Sequence, residues 1–277
     1  MRYTLPLILT LALCFAAQAL ALRVVGGRTI KSESNFFSSL ARIQNGLRDK
    51  PDVILLGSSR IGRLPNIPSP DRGIANMGCD GGSAAITLRA IDSGILPAAP
   101  TIVIEGNTLL HDLEHKGHDV ADNLDSLWFR LGCHLKNFSA TARPSAILYS
   151  ALLGRRIEKS ASAHGELLPV TDKPSIQNRT ERLPVDAESL VRELADIFDR
   201  LQAKDIRLML VTLPPASDQS TLNIQIPKAL SEQSGVPLLD LTTDLPPNAV
   251  HYTDGVHMAP SSAAAALRTI LAALEKL

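Results

Sequence analysis

At 277 residues, with 45% hydrophobic and 20% charged side chains, the chain can bury a sizeable core and has the composition of an ordinary globular protein. Lys plus Arg and Asp plus Glu both number 28, so the formal net charge is zero and no overall field draws the chain to nucleic acid or to an anionic membrane surface.

Arg2 precedes a mainly apolar stretch from Leu5 to Ala17, followed by Ala17-Gln-Ala19 and Ala19-Leu-Ala21, two small-x-small cleavage patterns. Residues 1–21 therefore read as a secretory signal peptide, which places the mature chain in the periplasm or outside the cell. An uncleaved anchor is the alternative, although the apolar run from Leu5 to Leu22 is only marginally long enough for one. Leu13 stands where lipoprotein processing before Cys14 wants a small residue, which argues against lipidation there. Cleavage leaves Cys79 and Cys133 in an oxidising compartment, where a disulfide between them and two buried free thiols both fit the sequence.

Beyond the signal, Phe36, Phe37, Leu40, Ile43 and Leu47 recur at helical spacing and predict an amphipathic helix over 33–50. The pattern then changes to short apolar runs at 53–56, 74–77, 101–105, 208–213 and 237–241, each bounded by Gly, Pro, Asn or Asp. Such runs read as buried parallel strands. Helical patterns fall between them at 84–93, 187–203 and 221–234, with a last helix over 261–277 opened by Pro260. The alternation predicts a single α/β domain over residues 22–277, with three layers, a mainly parallel sheet of about five strands, and a site at the strands' carboxyl ends. Residues 108–184 form an insertion, with helical patches at 120–135 and 145–157 and a polar stretch over 158–182 that reads as a loop or lid.

A serine hydroxyl is a poor nucleophile near neutral pH. It needs a base within hydrogen-bond reach, and the base needs an acid to fix its tautomer. Val53-Ile-Leu-Leu-Gly-Ser-Ser-Arg60 sets serines directly after an apolar strand, and Tyr252-Thr-Asp-Gly-Val-His257 holds an acid and an imidazole three residues apart. Ser59, His257 and Asp254 are thus the candidate nucleophile, base and acid. Each segment alone also reads as plain structure: a tight turn or helix cap for Gly-Ser-Ser, and a capped helix start with a surface histidine for Asp-x-x-His. Their occurrence in one chain, in order with Asn76-x-Gly78 and Asn107, favours the chemistry.

These segments resemble the blocks of the SGNH or GDSL-like hydrolases. Gly57-Ser-Ser59 is similar to the Gly-Asp-Ser block, Asn76-Met-Gly78-Cys-Asp-Gly81 to the second block, Glu105-Gly-Asn107 to Gly-x-Asn, and Asp254-Gly-Val-His257 matches Asp-x-x-His unchanged. The resemblance covers about residues 52–266 apart from the insertion, and implies a flavodoxin-like fold and activity on acyl esters. It also implies an oxyanion hole made by the Ser59 N–H, the Gly78 N–H and the Asn107 amide, donors that suit the charge developing on the substrate carbonyl oxygen. Ser58 replaces the family's aspartate and Glu105 its glycine, departures that look like the divergent branch near bacterial polysaccharide O-acetyltransferases.

Arg60, beside the nucleophile, either holds an anionic substrate group or pairs with a carboxylate. His111, His115 and His118 read as a solvated polar face; a metal site is the alternative, and His111 could also line the cleft entrance. His251 lacks an acid three residues before it, and the Asn137 and Asn178 glycosylation patterns are assigned no role. The expectation is an exported esterase, deacetylase or O-acetyltransferase acting on a carbohydrate or similar acyl ester, without cofactor or metal, with envelope polysaccharide machinery as a partner. The alternative is an inactive protein of the same fold that binds glycan or a polysaccharide-export partner.

Overall fold

The computed structural model describes residues 3–25, 32–48, 50–65, 73–114, 119–160, 168–169, 183–214, 221–245, 250–254 and 256–277. Their strands are β1 (Val53–Leu56), β2 (Ile74–Asn76), β3 (Thr101–Glu105), β4 (Leu168–Pro169), β5 (Arg207–Thr212), β6 (Leu238–Asp240) and β7 (His251–Tyr252). Five of these form one sheet in the order β2-β1-β3-β5-β6 with every neighbouring pair parallel, while β4 and β7 pair antiparallel. The helices are α1 (Thr4–Val25), α2 (Asn35–Arg48), α3 (Ser59–Gly62), α4 (Ala84–Asp92), α5 (His111–Glu114), α6 (Asp119–Asn123), α7 (Leu127–His134), α8 (Pro144–Ser160), α9 (Val185–Gln202), α10 (Leu222–Ser234), α11 (Leu241–Asp244) and α12 (Pro260–Leu274).

The uninterrupted apolar character of the central strands has a direct cause, because side chains alternate across a pleated strand and both faces here are covered. Ile54, Leu56, Ile102, Ile104, Leu208 and Leu210 join one core with Leu40 and Ile43 of α2, Leu88 of α4, Phe198 of α9 and Leu230 of α10. Val53, Leu55, Val103, Met209 and Val211 join the other, with Ala263, Leu267 and Ile270 of α12. Each such Val, Leu, Ile, Phe or Met side chain contributes about 1.5–3 kcal/mol through its removal from water. The result is an α/β domain with a five-stranded parallel sheet between two helical layers.

The strand order reverses between β1 and β3, and the crevice that such a reversal opens at the carboxyl ends is where open α/β sheets carry their sites. In the insertion, the single helical patch expected over 120–135 is divided into α6 and α7. Ser126 accepts the Phe129 N–H at 3.2 Å and so begins a new helix. Gln44 of α2 ties this region to the core by donating to the Phe129 carbonyl at 3.1 Å and accepting from the Ala140 N–H at 2.7 Å. The loop or lid expected over 158–182 lies mostly outside the described residues. Of it, 158–160 continue α8 rather than forming loop, and Leu168–Pro169 pairs with His251–Tyr252, just ahead of the acid–base loop.

At the N-terminus, Thr4–Val24 form an apolar helical stretch of mean hydropathy 2.2, exposing Leu5, Leu7, Leu9, Leu11 and Leu13. That composition suits a signal sequence. Its last turns rest on the insertion: Gln18 donates to the Asn137 and Ala142 carbonyls at 3.1 and 2.8 Å, Phe15 lies against Phe138, and Leu22 is buried. Cys14, Cys79 and Cys133 are all free thiols, so of the two sequence alternatives for Cys79 and Cys133 the structure holds the unpaired one.

Candidate active site

The chain leaves β1 through Gly57 and Ser58 and enters α3 at Ser59. Ser58 caps that turn by accepting the Arg60 N–H at 3.1 Å, and Ser59 is partly exposed at its start. The neighbouring loop extends the sheet pairing beyond the strand ends. Cys79 N–H donates to the Gly57 carbonyl at 2.7 Å, and Ser58 and Cys79 form a parallel bridge. At the far end of the chain, Tyr252 and Met258 face each other across an antiparallel bridge, Thr253 N–H donates to the His257 carbonyl at 2.9 Å, and α12 follows from Pro260. These constraints fix the acid–base loop over the nucleophile turn.

There His257 Nε2 lies 2.9 Å from Ser59 Oγ, and His257 Nδ1 lies 2.9 and 2.8 Å from the two Asp254 oxygens. Desolvation works to raise the Asp254 pKa. The His257 backbone N–H, the His257 ring and the Val256 N–H outweigh it and hold the carboxyl well below the usual carboxylate range. An ionised carboxylate only accepts, so Nδ1 is the donor to it and Nε2 is left to accept from the Ser59 hydroxyl. This is the arrangement a general base needs: nucleophile, base and orienting acid in one hydrogen-bonded line. Arg63 of the same turn donates to Asp254 Oδ2 at 2.9 Å, a tie between the two segments that the sequence did not announce.

The expected oxyanion donors are placed differently from one another. Among the described residues no acceptor takes the Ser59 N–H. The Gly78 N–H is directed to Asn76 Oδ1 at 3.1 Å, and Gly78 is buried. A Cβ at 78 would lie 2.4 Å from Gly62 N and 2.5 Å from Ser58 O, so this glycine is required by close backbone approach rather than by its donor. Asn107, also buried, turns its side chain to Leu213, donating to the carbonyl at 2.9 Å and accepting from the N–H at 2.6 Å, which joins the ends of β3 and β5. Gly81, part of the second block but given no donor role from the sequence, is exposed in the loop after Cys79 with φ +76°, and among the described residues its N–H has no acceptor. The Asp-Gly-Gly run over 80–82 was the available signal.

Arg60 points inward. Its guanidinium is buried, donates to the Pro214 carbonyl and faces Glu105 at 3.8 Å, so the carboxylate-pairing alternative holds and the guanidinium is not presented to an anionic substrate. Tyr252 donates to the same Pro214 carbonyl at 2.7 Å, and burial pushes its phenol up to about 12. His111 lies on α5, half-buried, while His115 and His118 fall outside the described residues. Among the described residues no cluster of three or more His, Cys, Asp or Glu is arranged to hold a metal. His251 sits in β7 with its N–H on Ser262 Oγ, apart from the Ser59–His257–Asp254 line.

Comparisons with protein-family models, curated proteins and solved structures give no match. The fold and site define an α/β protein with a Ser-His-Asp arrangement at the carboxyl edge of a parallel sheet.

Proposed function

We propose that the protein is an exported acyl-ester hydrolase or O-acyltransferase of the SGNH type, acting on a carbohydrate or similar acyl ester. The observation that carries this reading is the unbroken line from Asp254 through His257 to Ser59. In it, Ser59 Oγ attacks the ester carbonyl while His257 Nε2 takes the hydroxyl proton. The negative charge on the former carbonyl oxygen meets the Ser59 N–H, joined in this reading by the Gly81 N–H, and Asn107 fixes the neighbouring wall. His257 returns the proton to the departing alkoxide, leaving an acyl group on Ser59. Water, or a sugar hydroxyl deprotonated by His257, then releases the acyl group and restores the serine.

Export is supported by the apolar N-terminal helix, and the resemblance of the four sequence blocks supports the acyl substrate. The test is turnover of a short acyl ester by the purified protein, with and without an oligosaccharide acceptor, beside Ser59→Ala and His257→Ala. Hydrolysis alone marks an esterase, acyl transfer to the acceptor marks a transferase, and both variants are expected to lose at least ~1,000-fold in rate. A wild-type protein that turns over nothing while binding the oligosaccharide would favour the inactive glycan-binding alternative.

A further inference from the structure

The site leaves one fully buried carboxylate without a chemical role. Glu105, the last residue of β3, accepts the Ser58 N–H at 2.7 Å and the Ser58 hydroxyl at 3.0 Å, both on Oε2. Gly57 permits that approach, since a Cβ there would lie 2.4 Å from the same oxygen. Oε1 has no hydrogen-bond partner among the described residues and faces Arg60 Nη1 at 3.8 Å. A buried carboxylate is costly unless partnered, and here every partner comes from residues 58–60, the turn that carries the nucleophile.

The contacts also have a direction. Arg60 N–H donates to Ser58 Oγ, Ser58 Oγ–H donates to Glu105, and the guanidinium of Arg60 reaches on to Pro214 beyond β5. This chain fixes the Ser58 rotamer and the start of α3, and with them the place of Ser59. Ser58 and Glu105 are the two positions at which the sequence departs from the blocks it resembles, and they touch. The departures are one feature rather than two.

We propose that Glu105 is a positioning residue whose carboxylate, held between Ser58 and Arg60, fixes the turn after β1 so that Ser59 Oγ meets His257 Nε2. The inference rests on the hydrolase reading for its chemistry and on the contacts alone for its geometry. The variants are Glu105→Gln, which keeps an acceptor oxygen but loses the carboxylate, and Glu105→Leu, which loses both. Fluorophosphonate labelling of Ser59 is expected to slow about tenfold in the first and on the order of 100-fold in the second. Ester turnover should fall by the same factors in kcat at unchanged KM, because the reacting atoms and not the substrate contacts are displaced. Amide hydrogen exchange over residues 57–61 should quicken in the same order.

Labelling, kcat and exchange at wild-type values in Glu105→Gln would overturn the proposal, and that variant decides it should Glu105→Leu fail to fold. A wild-type protein that neither labels nor turns over ester counts against the hydrolase reading instead. Exchange at residues 57–61 then decides by itself whether Glu105 fixes the turn.

Discussion

Arg63 Nη1 lies 2.9 Å from Asp254 Oδ2, on the carboxylate oxygen that also meets His257 Nδ1 at 2.8 Å. A residue four positions after the nucleophile thus anchors the acid, and the nucleophile turn and acid–base loop hold each other from both ends. Both partners are substantially exposed, so the pair is worth about 0.2–1 kcal/mol and is screened by salt. Arg63→Ala should lower kcat/KM by up to about fivefold with little loss of stability. The wild-type rate should fall with ionic strength toward that of the variant, whereas a variant rate equal to wild type at low salt would remove Arg63 from the account.

Gly78 presses against the backbone of Ser58 and Gly62, and neither of those neighbours can yield as a flexible side chain would. Gly78→Ala should cost about 2–3 kcal/mol, read as a fall in Tm of roughly 5–10 °C, and should displace the nucleophile turn. Thermal unfolding and ester turnover of the variant check both parts.

Glu33 joins Arg143 and Ser145 at the base of α8 and also pairs with Ser32. Desolvation works against its charge, but the hydrogen bonds from Ser32, Arg143 and Ser145 prevail and lower its pKa from 4.5 to about 2. A carboxyl depressed in the folded state stabilises it above the unfolded value and loses that contribution as pH falls through the folded value. The stability advantage of wild type over Glu33→Gln, about 1 kcal/mol or less for so exposed a pair, should therefore be full above pH ~5 and vanish between about 4.5 and 2. Denaturant titrations at several pH values measure it.

Burial pushes the Cys79 thiol up to about 12 and the Cys133 thiol up to about 11, so neither supplies much thiolate at neutral pH. Under native conditions at pH 8, iodoacetamide should modify the exposed Cys14 first wherever the N-terminal helix is retained, Cys133 slowly, and Cys79 on unfolding. Mass spectrometry of timed samples gives the order, and prompt modification of native Cys79 would contradict its burial.

Much of the fold was legible because it rests on periodicity. The run at 101–105 is β3 with no change of bounds, and the other four strands of the parallel sheet and the long helices lie within about three residues of their patterns, where apolar spacing and end signals agree, whereas the two-residue β4 and β7 had no pattern to show. The short elements were not legible. α3 and α11 have four residues each, too few for any period to show. In the site, Ser59, Asp254 and His257 could be named because their residue types carry chemistry in a recognisable order. The tasks of Glu105, Arg63 and Arg60 could not, since they depend on which neighbour each side chain meets across the sheet, and a contact between residues 58 and 105 leaves no local mark. Gly78 was legible as a required glycine but not for the reason it is required, because the direction of its N–H is set by Asn76.

The most direct measurement is the site of covalent capture by a fluorophosphonate on the folded protein, mapped by peptide mass spectrometry in wild type and His257→Ala. The account predicts a single adduct on Ser59 in the wild type and a rate at least ~1,000-fold lower without the imidazole. An adduct on another serine, or a Ser59 adduct formed equally fast in His257→Ala, would contradict it.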